Sequence, residues 1–275
     1  MRNLKDKMAV VTGGSSGIGQ AIALELANCG CKLAVVGTSR SRIDATLALM
    51  PAGTDSRGYV CDVSDRTAVA ALCDVVERDF GQVHILVNNA GITSSAPFAE
   101  FDMDLFDRII KINFFGVVNC CHAFLPRLQA FGHGHLVNMS SMLGFVGVPN
   151  QSAYVSTKFA IRGFTESLWA ELDGTGIAVT GIYPGTIQSE ILQRASFSDN
   201  LEKEAMMKMM DRFGIPASDV AKKTVDAIRR RRREVIIGKD AKALVGLNRL
   251  HSGLCHQLIA IGTRRAKEKI HSGEW

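Results

Sequence analysis

Short apolar segments alternate with longer helical patterns along most of this chain of 275 residues. Several of the segments are apolar throughout, as strands buried on both faces of a sheet should be. The candidate strands are Met8–Thr12, Lys32–Gly37, Gly58–Cys61, Ile85–Asn88, His135–Met139, Ala178–Tyr183 and Val235–Ile237. The helical patterns between them cover Gly17–Cys29, Ser41–Leu49, Asp65–Phe80, Asp102–Phe131, Gln151–Leu172 and Ser218–Arg233. This order predicts an α/β fold with a doubly wound parallel sheet of about seven strands, right-handed crossovers and helices on both faces.

The alternation ends near residue 238, and no linker rich in proline or serine interrupts it. We therefore expect one Rossmann-type domain over residues 1–238 and an amphipathic C-terminal extension over residues 239–275. In such a sheet, ligands bind beyond the carboxyl ends of the strands. The loops after the first, fourth, fifth and sixth strands should therefore meet at one site.

Composition and charge narrow the cellular setting of the protein. Apolar residues make up 47% of the chain, enough for a sizeable core, and the net charge of +5 does not by itself indicate nucleic acid. Seven cysteines form no C-x-x-C pair, so free thiols in a reducing compartment are expected. The first residues contain no apolar signal segment, and no stretch reaches 18 uncharged apolar residues. We expect a cytoplasmic protein without a membrane span.

Tyr154 and Lys158 stand four positions apart, and Ser141 lies thirteen positions before the tyrosine. On a helix, positions i and i+4 share a face, so the phenol and the ammonium would point into the same space. A neighbouring cation favours the phenolate, which predicts a lowered tyrosine pKa and a group able to exchange a proton with an alcohol oxygen. The spacing alone also fits an unrelated pair on a surface helix.

A glycine-rich loop, Thr12-Gly-Gly-Ser-Ser-Gly-Ile-Gly19, follows the first strand and opens the first helix. Its spacing differs from the usual G-x-G-x-x-G fingerprint. Even so, a glycine turn at a helix N-terminus lets main-chain N–H groups approach a pyrophosphate, so dinucleotide binding is predicted here instead of a simple turn. The residues predicted to make this contact are Gly13, Ser15, Ser16, Gly17, Ile18 and Gly19.

The second strand ends without the acidic residue that would bind a ribose 2′-hydroxyl. Thr38, Ser39 and Arg40 stand there instead, followed by Arg42. Hydroxyl and guanidinium groups suit a 2′-phosphate, so NADP is predicted as the preferred cofactor and NAD as the alternative. In the other interpretation, the two arginines only solvate the next helix.

Seven motifs, in order, resemble the short-chain dehydrogenase/reductase family in its single-domain subgroup, from the N-terminus to about residue 238. They are the glycine loop, Cys61-Asp-Val63, Asn88-Asn-Ala-Gly91, Asn113, Asn138-Met-Ser-Ser141, Tyr154-x-x-x-Lys158 and Tyr183-Pro-Gly-Thr-Ile-Gln-Ser189. The resemblance implies an NAD(P)-dependent enzyme acting on CH–OH donors, which are secondary alcohols, or on the corresponding ketones.

The resemblance also implies a catalytic tetrad. Tyr154 would exchange a proton with the substrate oxygen, and Lys158 would lower the pKa of the tyrosine and hold the nicotinamide ribose. Ser141 would hydrogen-bond the substrate oxygen, and Asn113 would hold a water that relays protons from Lys158. Ser140 is the neighbouring alternative to Ser141. Adjacent side chains of an extended segment face opposite ways, and the family interval to the tyrosine selects Ser141.

The remaining contacts implied by the resemblance belong to the cofactor. Asp62 and Val63 would contact the adenine. The segment that supports the sheet and lines the cofactor ribose would be Asn89, Ala90 and Gly91. The loop that flanks the nicotinamide would be Pro184, Gly185, Thr186 and Ile187. Ser189 stands where the family more often has threonine, and it retains the hydroxyl.

Residues 186–215 fall where this family usually covers its substrate, so we expect a lid there. Four methionines in Ala205-Met-Met-Lys-Met-Met210 would make the lid apolar and adaptable, whereas ordinary packing is the alternative. The side chains expected to extend an apolar pocket are Phe98, Phe145, Val146, Val148 and Phe197. A bulky apolar alcohol or ketone is therefore the expected substrate.

The extension from residue 239 places apolar residues at roughly helical spacing with basic residues between and after them. It is predicted to pack on the domain or on a partner subunit, or else to lie on a membrane surface. The five-arginine run Arg229–Arg233 is predicted to be the solvated last turn of a helix. A contact with an acidic carrier protein or an anionic membrane is the alternative. No histidine lies in a cluster with metal-ligand spacing, so no metal site is expected.

The leading hypothesis is an NADP-preferring oxidoreductase for an apolar secondary alcohol or ketone. A 3-oxoacyl-carrier-protein-type reductase is the alternative enzyme, and a non-catalytic dinucleotide-binding scaffold is the alternative of another class. Family habit implies a homodimer or homotetramer. No nucleic-acid partner is expected, because the basic run lacks interleaved aromatic residues.

Overall fold

Seven parallel strands form the central sheet of the computed structural model, which describes residues 1–188, 191–193 and 195–272. The strands are β1 (Met8–Thr12), β2 (Lys32–Gly37), β3 (Ser56–Val60), β4 (Ile85–Asn88), β5 (Gly134–Met139), β6 (Ile177–Pro184) and β7 (Glu234–Ile237). Their order in the sheet is β3–β2–β1–β4–β5–β6–β7, and every neighbouring pair is parallel. The chain therefore changes direction between β1 and β4, where a doubly wound sheet opens a ligand crevice. The predicted fold class is confirmed.

Burial explains why most strands could be recognised as apolar runs. All residues of β1, β4, β5 and β6 are buried. At the two edges of the sheet, three of the four residues of β7 are half-buried, and the residues of β3 are exposed or half-buried. Its polar start at Ser56 and Arg57 lies outside the predicted Gly58–Cys61 segment, because an edge strand does not need an apolar sequence.

Ten α-helices surround the sheet in the part of the chain that the structure describes. They are α1 (Gly17–Asn28), α2 (Arg40–Ala48), α3 (Arg66–Phe80), α4 (Met103–Ile110), α5 (Gly116–Ala130), α6 (Ser152–Glu171), α7 (Asn200–Phe213), α8 (Ala217–Arg230), α9 (Lys239–Leu250) and α10 (Ser252–Ser272). Ile22 of α1 and Val225 of α8 belong to the core on one face of the sheet. Val76 of α3, Phe124 of α5 and Ile161 of α6 belong to the core on the other face.

The helix predicted over Asp102–Phe131 is divided by a π-helical turn at Lys111–Phe115. Asn113, at its centre, is fully buried. π-turns inside α-helices often mark functional sites. The whole stretch Met103–Ala130 is long and apolar enough to cross a membrane by length and composition, but 44% of its most apolar window is buried inside the fold. A core helix that packs against a sheet accounts for both observations.

The C-terminal residues form α9 and α10, which build a third core cluster on β6 and β7. Val245 and Cys255 are buried there beside Phe145 and Tyr183. Other apolar residues of the extension point outward, and Leu250 is 81% exposed. One face of the extension therefore packs on its own domain.

Candidate active site

Tyr154, Lys158 and Ser141 converge beyond the carboxyl end of β5. Tyr154 and Lys158 lie on the first turns of α6. The Lys158 side chain is 4% exposed, and its Nζ donates a hydrogen bond to the main-chain oxygen of Met139 at 3.0 Å. The same Nζ lies over the Tyr154 ring, 5.3 Å from the ring centroid. The predicted i, i+4 pair therefore shares one face of a real helix.

Ser141 and Ser140 have different surroundings. Ser141 has an extended backbone, with φ −163° and ψ 164°, and its Oγ accepts a hydrogen bond from the Leu143 N–H at 3.2 Å. Its hydroxyl also interacts with the phenol of Tyr154. The Ser140 hydroxyl instead donates to the main-chain oxygen of Lys158 at 2.9 Å. Ser141 is therefore the serine whose side chain reaches the tyrosine.

Burial dominates the protonation of this group. Burial raises the pKa of Tyr154 to about 12, while the hydrogen bond with Ser141 acts in the opposite direction. Burial also lowers the pKa of Lys158 to about 8. The sequence-based expectation that Lys158 lowers the tyrosine pKa is wrong for the protein alone. The reason is that Nζ faces the ring and the Met139 carbonyl, and removal from water penalises the phenolate.

Both the oxygen and the nitrogen of the Asn113 amide bond to groups of the protein. Its Oδ1 accepts a hydrogen bond from Ile92 N at 2.8 Å, and its Nδ2 donates to Ile92 O at 2.9 Å and to Thr157 Oγ1 at 3.3 Å. The side chain thus fastens the π-turn to the segment after β4 and to α6. It lies next to the candidate group, but its amide is committed to these three partners.

The glycine loop after β1 is shaped by close packing against the segment after β4. Gly13 and Gly17 have φ values of +61° and +53°, which favour glycine. A Cβ on Gly19 would lie 2.2 Å from Gly13 O and 2.4 Å from Asn89 Nδ2. The Asn89 amide donates to Thr12 O at 3.1 Å and to Gly13 O at 3.3 Å. The loop therefore reaches α1 in a fixed shape, with two of its main-chain carbonyls bonded to the Asn89 amide.

Other predicted cofactor residues lie in this loop or next to it. Ser15 is buried, Ser16 is the residue before α1, and Ile18 is half-buried in its first turn. Ala90 N–H donates to Thr12 Oγ1 at 3.2 Å, and a Cβ on Gly91 would lie 3.3 Å from Asn113 Oδ1. The loops after β1 and β4 are thereby joined to the π-turn.

The residues after β2 and β3 complete the adenine end of the predicted site. Thr38 is exposed, and Ser39 precedes α2. Arg40 forms an ion pair with Asp44 at 2.7 Å and donates to Gly58 O at 3.2 Å.

After β3, Asp62 accepts hydrogen bonds from the N–H and hydroxyl of Ser64. Val63 is buried, and its Cγ2 would lie 2.6 Å from a Cβ on Gly116.

The loop after β6 is held from two sides. Gly185 N–H donates to Ile237 O at 2.8 Å, and Thr186 N–H donates to Asp240 Oδ2 at 2.7 Å. Ile187 is buried and begins the strand Ile187–Gln188, which pairs with Ile215–Pro216.

The sequence pattern missed Asp240. The signal for it was an acidic residue two positions after Gly238, at the start of a helix. Ser189 lies outside the described residues.

The predicted lid is partly a helix. Its four methionines lie on α7 and are all half-buried, which fits both an apolar lid and ordinary packing.

Phe98 is 64% exposed, and Phe197 is half-buried in a short strand paired with Ser94–Ser95. Phe145 and Val146 are not pocket residues, because both are buried in the third core cluster. The Phe145 ring packs against Tyr183 with centroids 4.8 Å apart.

A cavity of about 440 Å³ lies between α6 and α10. Val148 lines this cavity, with Val155 and Ser156 of α6 and Ile259 of α10. Tyr154 and Lys158 do not line it. Val148 therefore shares this cavity with residues of the C-terminal extension.

Each member of the arginine run has a partner within the chain. Arg229 and Arg230 end α8, but Arg231 has a φ of +53° and stops the helix, so the predicted helix end at Arg233 is wrong. The partners are Cys29, Asp226, Gly176 O, Asp226 and Asp173 in chain order. The run connects α8 to neighbouring elements, which accounts for it without an external ligand.

The other reactive groups of the chain are thiols and histidines. All seven cysteines are free, as predicted, and only Cys29 is not buried. Among the described residues, no group of three or more His, Cys, Asp or Glu side chains is arranged to hold a metal ion. His135 is fully buried with Nε2 at 2.7 Å from Thr180 Oγ1, and burial lowers its pKa to about 3. It belongs to the core.

Curated relatives are named as oxidoreductases and dehydrogenases. "Putative oxidoreductase SadH" of Mycobacterium tuberculosis is 36% identical over 270 residues, covering 96% of this chain and 98% of its own. D-threitol dehydrogenase of Mycolicibacterium smegmatis is 35% identical over 216 residues, covering 78% of this chain and 82% of its own. The first of these matches extends through most of the C-terminal extension.

Solved structures share the fold at lower identity. A short-chain dehydrogenase/reductase from Burkholderia phymatum in complex with NAD matches with a TM-score of 0.83 and 26% identity, covering 95% of this chain and 97% of its own. An alcohol dehydrogenase from the archaeon Thermococcus sibiricus complexed with 5-hydroxy-NADP matches with a TM-score of 0.73 and 25% identity, covering 85% and 96%. The family model described as short chain dehydrogenase matches residues 7–200. With the resembling motifs grouped at one edge of the sheet, these matches show that the chain belongs to the short-chain dehydrogenase/reductase family of oxidoreductases.

Proposed function

We propose that the protein is an NADP-preferring oxidoreductase that moves a hydride between the nicotinamide and an apolar secondary alcohol or ketone. The observation that carries this proposal is the group formed by Ser141, Tyr154 and Lys158. The Tyr154 hydroxyl contacts Ser141, and a buried ammonium lies beside the same ring. This group and the glycine loop both lie at the carboxyl edge of the sheet, where a doubly wound fold binds its ligand.

The proposed roles follow from the chemistry of each side chain. The cofactor supplies the hydride when it is bound. Because the pKa of Tyr154 is about 12, its phenol stays protonated at neutral pH and can give a proton to a carbonyl oxygen. Ser141 donates a hydrogen bond to the same oxygen and stabilises its developing charge. Lys158 carries its charge below a pKa of about 8, beside the tyrosine ring.

Asn113 is proposed to act through the main chain. Its amide already bonds Ile92 and Thr157, so the amide is not the group that would hold a relay water. The π-turn around it shifts main-chain groups away from the regular α-helical pattern. A main-chain carbonyl of this turn is therefore the proposed water ligand.

The preference for NADP rests on the residues after β2. Thr38 and Ser39 offer hydroxyls, Arg40 offers a guanidinium, and no carboxylate stands where a ribose 2′-hydroxyl would be bound. The Arg40 side chain is 62% exposed and forms an ion pair with Asp44. It must break this ion pair to bind a 2′-phosphate. We therefore expect a moderate preference, not an absolute one.

The proposed substrate is apolar because the segment proposed as its lid carries four half-buried methionines on α7. The relative named for D-threitol shows that a polyol belongs in the comparison. A 3-oxoacyl-carrier-protein-type reductase remains the second enzyme hypothesis. It loses support from the arginine run, whose members have partners in the chain.

A substrate panel that follows NADPH and NADH absorbance tests the proposal. We expect bulky apolar ketones to be reduced faster than polyols are oxidised or acyl thioesters reduced, and NADPH to give the higher kcat/KM. Fastest turnover of acyl thioesters would transfer the proposal to the carrier-protein reductase. Binding of either dinucleotide without turnover across the panel would favour the non-catalytic scaffold.

We further propose that the protein works inside the cell as a homodimer or homotetramer. Six of the seven free cysteines are buried, which suits a reducing compartment. Phe115 and Phe159 are 44% and 42% exposed, beside α5 and on α6, the helices that would pair between subunits.

The outward face of α10 supports a proposed contact with a membrane surface. Leu254, Leu258 and Ile261 share this face and are 46%, 51% and 40% exposed. The second half of the helix adds a basic group formed by Arg264, Arg265, Lys267 and Lys269. Apolar residues followed by basic ones suit the boundary of an anionic bilayer.

Co-sedimentation with phosphatidylserine-containing liposomes tests this contact in the full chain. We expect Leu254→Ser/Leu258→Ser to raise the soluble fraction, because it removes apolar area that would enter the bilayer. The control is Leu49→Ser/Val60→Ser, which changes side chains that are 61% and 59% exposed elsewhere on the surface. Equal soluble fractions for the wild type and both variants would contradict the proposal.

A further inference from the structure

We propose that Asp240, in the C-terminal extension, is a positioning residue that fixes the loop Pro184–Ile187 and thereby sets how tightly the nicotinamide end of the cofactor is bound. This inference rests on the proposed function, which places the nicotinamide beside this loop. Asp240 belongs to the first turn of α9, outside the residues matched by the family model.

The loop is tied to the end of the sheet by two successive main-chain N–H groups. Gly185 donates to Ile237 O at 2.8 Å, which continues the pairing of β6 with β7. Thr186 donates to Asp240 Oδ2 at 2.7 Å. The second bond is made to a side chain because β7 ends at Ile237, where the ladder has no further main-chain partner to offer. Asp240 therefore extends the support of the loop by one residue.

Two glycines leave room for the carboxylate. A Cβ on Gly185 would lie 2.4 Å from both carboxylate oxygens of Asp240, and a Cβ on Gly238 would lie 2.3 Å from Oδ1. Gly238 also has a φ of +113°, so glycine is needed there for conformation as well as for space. The Asp240 carboxylate thus fills a position between the loop and the end of β7 that any larger residue at 185 would occupy.

The rest of α9 anchors this contact. Ala241 and Val245 are buried, and Val245 packs in the cluster that contains Tyr183, the residue immediately before the loop. The carboxylate at the first turn is also favoured by the positive end of the helix dipole. The extension is thereby joined to the candidate site instead of only covering the edge of the sheet.

Removal of the carboxylate should release one end of the loop. It should weaken only the binding of the nicotinamide end of the cofactor, which the loop is proposed to contact. For Asp240→Ala we expect the Kd of NADPH to rise about tenfold, a modest value because Asp240 is exposed and its hydrogen bond competes with water. Binding of 2′-phospho-ADP-ribose, which lacks the nicotinamide, should be unchanged. Asp240→Asn keeps an acceptor oxygen and should restore most of the affinity.

The experiment is a fluorescence titration of each full-length variant with NADPH and with 2′-phospho-ADP-ribose, or with NADH and ADP-ribose if NADH is the tighter dinucleotide. Asp219→Ala is the matched control, because Asp219 occupies the first turn of α8 in the same way. Equal weakening of both ligands by Asp240→Ala, or weakening of neither, would overturn the positioning role. A wild type that binds neither ligand would instead overturn the proposed function, and this inference with it.

A double-mutant cycle on stability gives a readout that needs no cofactor. Gly185→Ala should destabilise the wild type because its Cβ displaces the carboxylate from Thr186. In the Asp240→Ala background this clash is absent, so Gly185→Ala should shift the urea midpoint less. Additive shifts would show that Gly185 and Asp240 do not share the contact, and they would overturn the inference.

Discussion

Replacement of Tyr154 by phenylalanine is expected to lower kcat by ~10²–10⁴ on the true substrate. The change removes one hydroxyl and keeps the ring over which Lys158 Nζ lies. Because the contribution of an acid–base group appears only in the transition state, cofactor affinity and substrate KM should change little. Steady-state kinetics and a cofactor titration on the same protein measure both quantities.

Tyr59→Phe is the matched control for this change. Tyr59 lies on β3, and its hydroxyl donates to Asp79 Oδ2 at 2.7 Å, away from the candidate group. The control therefore loses a hydrogen-bonded phenolic hydroxyl without losing the proposed proton donor, and its kcat should equal that of the wild type. Near-normal turnover by Tyr154→Phe would refute the role of Tyr154.

The architecture was predictable because buried parallel strands leave a strong trace in the sequence. β1, β2 and β4 have the predicted bounds, since nearly every residue in them must be apolar. The edge strand β3 and the π-turn around Asn113 have no such requirement. The bounds of β3 and the geometry of the π-turn depend on the segments that pack against them. Asn113, for example, is held by hydrogen bonds to Ile92 and Thr157, two residues that lie far from it along the chain.

The candidate site was predictable in position but not in electrostatics. The choice of Ser141 over Ser140 follows from the interval to the tyrosine that the family resemblance implies, and the structure places the Ser141 hydroxyl at Tyr154. The direction of the tyrosine pKa was wrong, because spacing indicates which groups are near but not how much water is excluded. Burial raises the pKa of Tyr154 and lowers that of Lys158, because removal from water penalises the charged form of each group.

Asp240 shows that local sequence does not reveal contacts between distant segments. The residues it joins, Thr186 and Gly185, are more than fifty positions away, and no local pattern relates them. For the arginine run, the predicted solvated helix end was wrong beyond Arg230, and contacts within the chain account for the run without the alternative of an external partner. Both cases show that contacts between distant segments decide the role of a charged residue.

Replacement of Lys158 by methionine is expected to abolish most activity while stabilising the fold at neutral pH. Burial lowers the pKa of Lys158 from 10.5 to about 8, so the folded protein holds this charge at a cost of about 3 kcal/mol below pH 8. Methionine fills a similar volume without charge. It leaves Met139 O without its donor, which costs about 1 kcal/mol. The net gain in the free energy of unfolding at pH 7 should be about 2 kcal/mol.

The pH dependence of this difference separates buried charge from packing. Between pH 8 and 10.5 the unfolded wild type binds more protons at residue 158 than the folded one, so wild-type stability rises with pH through this window. The advantage of Lys158→Met should therefore shrink by about 3 kcal/mol and change sign near the top of the window. Urea unfolding of both proteins from pH 7 to pH 10.5 measures it, with Lys222→Met, at an exposed position of α8, as the control. A difference independent of pH would mean that the lysine is not held at a lowered pKa. The proposed proton relay would then contain no lysine whose charge changes near neutral pH.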